Sequence, residues 1–207
     1  MIHKTPIAIL ISGRGSNMRA LIESCARPDY PARIALVLSN NPDAPGLAVA
    51  RAAGLATQAI DHRDYRRDRA AHERALDTAL RAAGVEYVCL AGYMRLLTPF
   101  LTTAWAGRML NIHPSLLPAY PGLHTHERAL ESGARIHGCT VHWVTEGMDE
   151  GPIIGQAAVP ILADDTPDVL GARVLQQEHR LYPAALHRVL VPDAAPAAAA
   201  SDCLLSV

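Results

Sequence analysis

Apolar runs of strand length alternate with segments of helical period through the first half of this 207-residue chain, and that alternation restricts its fold more than any other feature. "IAILIS" (7–12), "IALVLS" (34–39), "TQAI" (57–60) and "YVCLA" (87–91) read as buried strands. Between them "NMRALIESCA", "GLAVARAAG" and "DRAAHERALDTALRAAG" read as helices, the last closing on Gly84 as a C-terminal cap. Strands and helices in strict succession imply parallel strands joined by crossover helices. The expected fold is α/β, a Rossmann-like open, mostly parallel twisted sheet with helices on both faces.

Beyond residue 91 the pattern changes. Thr98-Pro99 is expected to open a short helix, with threonine as N-cap and proline at the first helical position, and "RMLNIH" (108–113) is a further strand. "HGCTVHWV" (137–144) and "PIIGQAAVPI" (152–161) read as a strand pair near one sheet edge, with an antiparallel strand among them. Thr166-Pro167-Asp168 starts a long helix reaching about His187. Residues 1–192 are expected to form a single domain, and 193–207, rich in alanine, a loose low-complexity tail.

Nineteen basic and twenty acidic side chains leave a formal charge of -1, so no general field draws nucleic acid or an anionic membrane, and an anionic ligand must be held by a local site. The run Ile7 to Ile11 is far too short for a membrane span or a signal segment. Cys25, Cys89, Cys139 and Cys203 are widely spaced, without the paired pattern of a zinc ribbon or a redox motif. A reducing, cytoplasmic setting is expected, with no nucleic-acid or membrane partner.

Three short segments carry chemistry. "GRGSN" (13–17) follows a strand and opens a helix. Gly13 and Gly15 permit a tight turn, and the free N–H groups of the helix start, with Ser16 and Asn17, can hold a phosphate. The same segment also reads as a plain strand-to-helix turn. It departs from the dinucleotide fingerprint at Met18, and the second strand ends in Asn40-Asn41 without a ribose-binding acid. In "NIHPSLLPAYPGLHTH" (111–126), Asn111 and His113 lie two residues apart on a strand end and so project to one side. An amide and an imidazole there can bind an oxyanion and move a proton, although either residue alone reads as a satisfied core side chain. In "EGMDEGPII" (146–154), Asp149 between Gly147 and Gly151 can charge or hold a histidine, or simply be solvated. Ten histidines raise a metal reading for His124, His126, His137 and His142, but no ligand spacing supports it, His124-x-His126 reads as loop, and no metal is expected.

Together, Asn111, His113 and Asp149, with "HPSLLPAYPG", "GCTVHWVTEGMDEGPII" and "GRGSN", resemble the folate-dependent formyltransferases over about Ile7 to Arg188. The phosphate loop points within that family to the branch that formylates glycinamide ribonucleotide in de novo purine biosynthesis, with 10-formyltetrahydrofolate as cosubstrate. The resemblance implies direct attack of an amine on the formyl carbon, with Asn111 and His113 stabilising the tetrahedral intermediate and Asp149 assisting. It implies that Gly15, Ser16 and Asn17 hold the nucleotide phosphate and Glu178 the ribose. Arg63, Met94, Arg95, Leu96, Leu97, Asn111 and the segment Thr145, Glu146, Gly147, Met148 and Asp149 would contact the folate, Arg63 being one of several arginines in "DHRDYRRDR". A formyltetrahydrofolate deformylase would use the same trio on water, but has no reason to keep a phosphate loop. A methionyl-tRNA formyltransferase would need a basic C-terminal module that this chain lacks. A non-catalytic nucleotide-binding module would leave the trio without a purpose.

Overall fold

The computed structural model describes residues 3–192 and 204–206. Its strands are ordered β3-β2-β1-β4-β5-β6-β7-β8 in one sheet, and contacts divide the chain into two compact units. One comprises Met1–Asn111 and Val144–Glu146, the other Ile112–Trp143 and Gly147–Val207.

In the first unit β1 (Thr5–Ile11) is buried along almost its whole length, as expected of a central parallel strand with neighbours on both sides. It pairs in parallel with β2 (Ala32–Ser39) and β4 (Tyr87–Leu90); β2 pairs with β3 (Thr57–Ala59) and β4 with β5 (Met109–His113), also in parallel. The crossovers are α1 (Ser16–Ala26), α2 (Pro45–Ala52) and α3 (Arg69–Ala82). Met18, Leu21 and Cys25 lie three and four residues apart, which gives α1 one buried stripe. Gly84, at φ 64°, continues the turn that ends α3 and donates its N–H to the Arg81 carbonyl at 3.0 Å.

Short α4 (Pro99–Ala104) begins with proline at its first position, as expected, but Thr98 does not cap it with its side chain. Instead Glu73, 2% exposed on α3, accepts from the Thr98 N–H at 2.7 Å and from the Thr98 hydroxyl. A buried carboxyl group thus anchors the residue before the helix, at a contact that sequence spacing cannot reveal. A turn of 3-10 helix at His62–Tyr65, absent from the sequence reading, carries Arg63.

The second unit is built on β6 (Ile136–Trp143) and β7 (Ile153–Pro160), which pair antiparallel as expected. The long α6 (Pro167–Leu190), capped by the Thr166 hydroxyl, packs against both. A further helix, α5 (Thr125–Glu131), occupies part of the segment read as loop; His124 is its N-cap, and His126 lies in its first turn. Of the tail, residues 193–203 and 207 lie outside those described. Leu204–Ser206 form β8, antiparallel to β7, so this part is a short edge strand rather than the loose tail expected.

Two imidazoles meet in this unit. His126 Nδ1 lies 3.1 Å from His137 Nε2, and the rings cross edge to face at 89°. His137, 1% exposed, has its pKa lowered from 6.5 to about 4, first by burial and then by the neighbouring His126. Burial likewise lowers His126.

Two outcomes follow for stability. Glu73→Ala leaves the Thr98 N–H and hydroxyl without their acceptor and should cost about 1–3 kcal/mol in urea unfolding, with Thr98→Ala costing less. For His137 the unfolded chain binds a proton at pH 6.5 while the folded chain resists it until about 4, so its contribution is present above 6.5 and lost as the pH falls toward 4. His137→Gln, which keeps a donor for His126 but cannot titrate, should flatten that part of the stability–pH curve; an unchanged slope would contradict the assignment.

Candidate active site

The proline-rich segment after β5 is held in one shape by side chains rather than by regular structure, and Leu117–Pro118 within it is cis. Ser115 donates its hydroxyl to the Ala119 carbonyl at 2.6 Å, and Thr125 to the Pro114 carbonyl at 2.7 Å. Buried Thr140 of β6 accepts from the Leu117 N–H at 3.0 Å and donates to the Ser115 carbonyl at 2.7 Å, while Gln156 of β7 donates to the Leu117 carbonyl at 2.9 Å. Prolines remove donors that would otherwise need partners, and these bonds satisfy much of what remains. The loop therefore delivers two backbone groups to fixed positions, the Tyr120 carbonyl and the Gly122 N–H.

His113, the last residue of β5, is 5% exposed. Its Nε2 is 3.0 Å from the Tyr120 carbonyl, and its Nδ1 is 3.3 Å from Asp149 Oδ2. Asn111 precedes it by two residues on the same strand, and the two side chains project to one side.

Asp149 is held from several directions. Its Oδ2 accepts from the Gly122 N–H at 2.9 Å, and its Oδ1 lies 3.7 Å from His142 Nε2. Burial alone would raise its pKa, but the His142 ring, the Gly122 N–H and the charge of His113 outweigh that and lower it. Its backbone is left-handed, at φ 58°, a conformation that a non-glycine residue adopts only where its surroundings fix it. The sequence pairing of His113 with Asp149 is thus realised in space. Sequence reasoning missed the Tyr120 carbonyl and the Gly122 N–H, for which side-chain pattern carries no signal. It also missed His142 as a partner of Asp149.

The other expected site residues in the first unit take up recognisable settings. Gly15 is the N-cap of α1 at φ 70°, and a Cβ there would come within 2.9 Å of the Met18 side chain. No side chain caps α1, and its first turn contains no acidic residue, so no carboxylate there offsets the positive end of the helix dipole. Met94 (69% exposed) and Leu96 (61%) present apolar surface in the segment expected to hold the folate, with Arg95 between them and Leu97 after. That segment is tied to the residue after β1: Ser12 accepts from the Met94 N–H at 2.8 Å and donates to Asn40 Oδ1 at 2.6 Å. Arg63 is exposed, and its guanidinium donates to Asp61, with Nη2 2.6 Å from Oδ2. Thr145 and Glu146 also belong to this unit.

In the second unit, Gly147 and Met148 lead into Asp149, and Met148 reaches to 3.6 Å of where a side chain on Gly122 would begin. Glu178 lies on the buried face of α6, 6% exposed. Among the described residues no group of three or more His, Cys, Asp or Glu side chains is placed to hold a metal ion. Nor does any described helix have the length and apolarity to cross a membrane.

The formyl transferase family model matches residues 5–186. The chain is 48% identical over 177 residues to the phosphoribosylglycinamide formyltransferase of Escherichia coli (strain K12), covering 86% of this chain and 83% of that protein. It is 46% identical over 186 residues to the trifunctional purine biosynthetic protein adenosine-3 of Homo sapiens; this match takes in 90% of the chain but spans only 18% of that longer relative. Among solved structures, the phosphoribosylglycinamide formyltransferase of Brucella melitensis superimposes with a TM-score of 0.87 at 52% identity, covering 94% of this chain and all of that one. The glycinamide ribonucleotide transformylase 1 of Symbiobacterium toebii gives 0.87 at 49%, covering 91% and 88%. With its fold, its paired His113 and Asp149 and these matches along most of its length, the chain belongs to the formyl transferase family of enzymes.

Proposed function

We propose that this chain transfers the formyl group of 10-formyltetrahydrofolate to the amine of glycinamide ribonucleotide, a step of de novo purine biosynthesis. The observation that carries the reading is the buried contact of His113 Nδ1 with Asp149 Oδ2 at 3.3 Å, with Asn111 two residues earlier on β5. The names of the relatives and solved structures that match the chain support the same substrates.

The amine nitrogen attacks the formyl carbon, a C–N bond forms, and the carbonyl oxygen gathers negative charge. Asn111 and His113 stabilise that charge, and groups fixed beforehand do so without reorganising as it develops. His113 suits this role because the Tyr120 carbonyl and Asp149 hold its ring in place. Asp149, kept ionised by its surroundings, accepts the proton that the amine loses and passes it toward N10 of the folate as the bond from the formyl carbon to N10 breaks. The proton count closes with no covalent enzyme intermediate, and the described cysteines Cys25, Cys89 and Cys139 are all buried.

Binding is divided among the remaining candidates. Gly15, Ser16 and Asn17 take the nucleotide phosphate at the start of α1, and Glu178 takes the ribose hydroxyls. Arg63, Met94, Arg95, Leu96 and Leu97 hold the folate together with Thr145, Glu146, Gly147 and Met148. Since Arg63 is engaged by Asp61, its contribution to an anionic folate tail is smaller than that of a free guanidinium. The α1 start at Ser16, with no acidic residue in its first turn, favours transfer to a phosphorylated amine over the hydrolytic deformylase reading, which leaves that feature unused.

His113→Ala and Asp149→Ala should each lower kcat by about 100-fold or more with the folded state preserved, and Asn111→Ala by about 10- to 1000-fold. Ser16→Ala should instead raise KM for the nucleotide several-fold, leaving kcat close to wild type. Steady-state kinetics with both substrates varied would separate the two patterns; wild-type rates for His113→Ala and Asp149→Ala would remove the mechanism.

A further inference from the structure

We propose that His142 is a positioning residue, whose ring fixes the rotation of the Asp149 carboxylate so that Oδ2 stays turned toward His113. The inference rests on the formyl-transfer reading of this site, and concerns a residue that does not itself touch the reacting atoms.

Three features of His142 carry it. First, it is 3% exposed and stands one residue before the end of β6. Second, its Nδ1 lies 2.9 Å from the carbonyl of Trp143, an acceptor, which anchors one edge of the ring and assigns that nitrogen a proton. Third, its Nε2 faces Asp149 Oδ1 at 3.7 Å, an ion-pair distance.

The two carboxylate oxygens are thus held by different groups. Oδ2 accepts from the Gly122 N–H and faces His113, while Oδ1 faces His142. Rotation about the bond to a carboxylate is broad and weakly restrained, so one held oxygen leaves the group free to swing. A second hold at the other oxygen removes that freedom. The left-handed backbone of Asp149 strengthens the case, because a strained residue depends on its side-chain contacts to stay where it is.

Two variants separate this role from packing. The amide nitrogen of glutamine can take the place of Nε2, whereas that of asparagine reaches only the place of Nδ1. His142→Asn should keep the bond to Trp143 and lose the hold on Asp149, lowering kcat by about 10-fold or more with both KM values within about 3-fold. His142→Gln should recover kcat to within about 3-fold of wild type. Equal losses in the two variants, no loss in either, or a change confined to KM would overturn the assignment.

Imidazole nitrogen NMR of His113 gives a reading independent of turnover. In His142→Asn its shifts should move toward those of Asp149→Asn, and in His142→Gln they should stay at the wild-type values. Unmoved shifts in His142→Asn, or moved ones in His142→Gln, would refute the positioning role even if the wild type transferred no formyl group, in which case the proposed function would fail separately. Should the asparagine variant not fold, the glutamine spectrum alone decides.

Discussion

The contact on which the account depends is that of one carboxylate, Asp149, with one imidazole, His113. A partly buried carboxylate is costly unless its charge is answered, and here it is answered by the Gly122 N–H and by the rings of His113 and His142. Each partner comes from a different part of the chain: the end of β5, the proline-rich loop and the end of β6. The strained backbone at Asp149 and the bonds that stiffen the proline loop are means of placing this carboxylate.

The rest of the fold divides its labour in a way that follows from secondary structure. Parallel strands end on one side of the sheet, where α/β folds keep their chemistry, and each strand end leads into a turn that can present backbone groups. After β1 the turn starts α1 without a capping side chain. After β5 the chain cannot form a helix at once because of its prolines, and the loop presents a carbonyl and an amide N–H instead. In the first unit, Ser12 at the end of β1 joins the segment beginning at Met94 to Asn40 after β2.

Much of this was legible in the sequence, for physical reasons. The long parallel strands and crossover helices announce themselves because each buries a whole face and carries the period of that face. His113 and Asp149 stood out by residue type and neighbouring glycine and proline, and the resemblance to formyltransferases joined them. What was hidden shares a different property. The Tyr120 carbonyl and the Gly122 N–H belong to the backbone and leave no mark on residue type. Glu73 looks like a surface helix residue until Thr98 is seen against it, and α5 is too short for its periodicity to outweigh the histidines and prolines around it. The edge strand β8 follows an alanine-rich stretch whose composition resembles a linker, and only its pairing with β7 distinguishes it.

The most direct test of the central claim is the rate at which purified protein removes the formyl group from 10-formyltetrahydrofolate, followed spectroscopically with and without glycinamide ribonucleotide. Formyl loss that requires the nucleotide, with formylated nucleotide formed in equal amount, is the predicted result. Formyl loss at the same rate without the nucleotide, or none in its presence, would contradict the account.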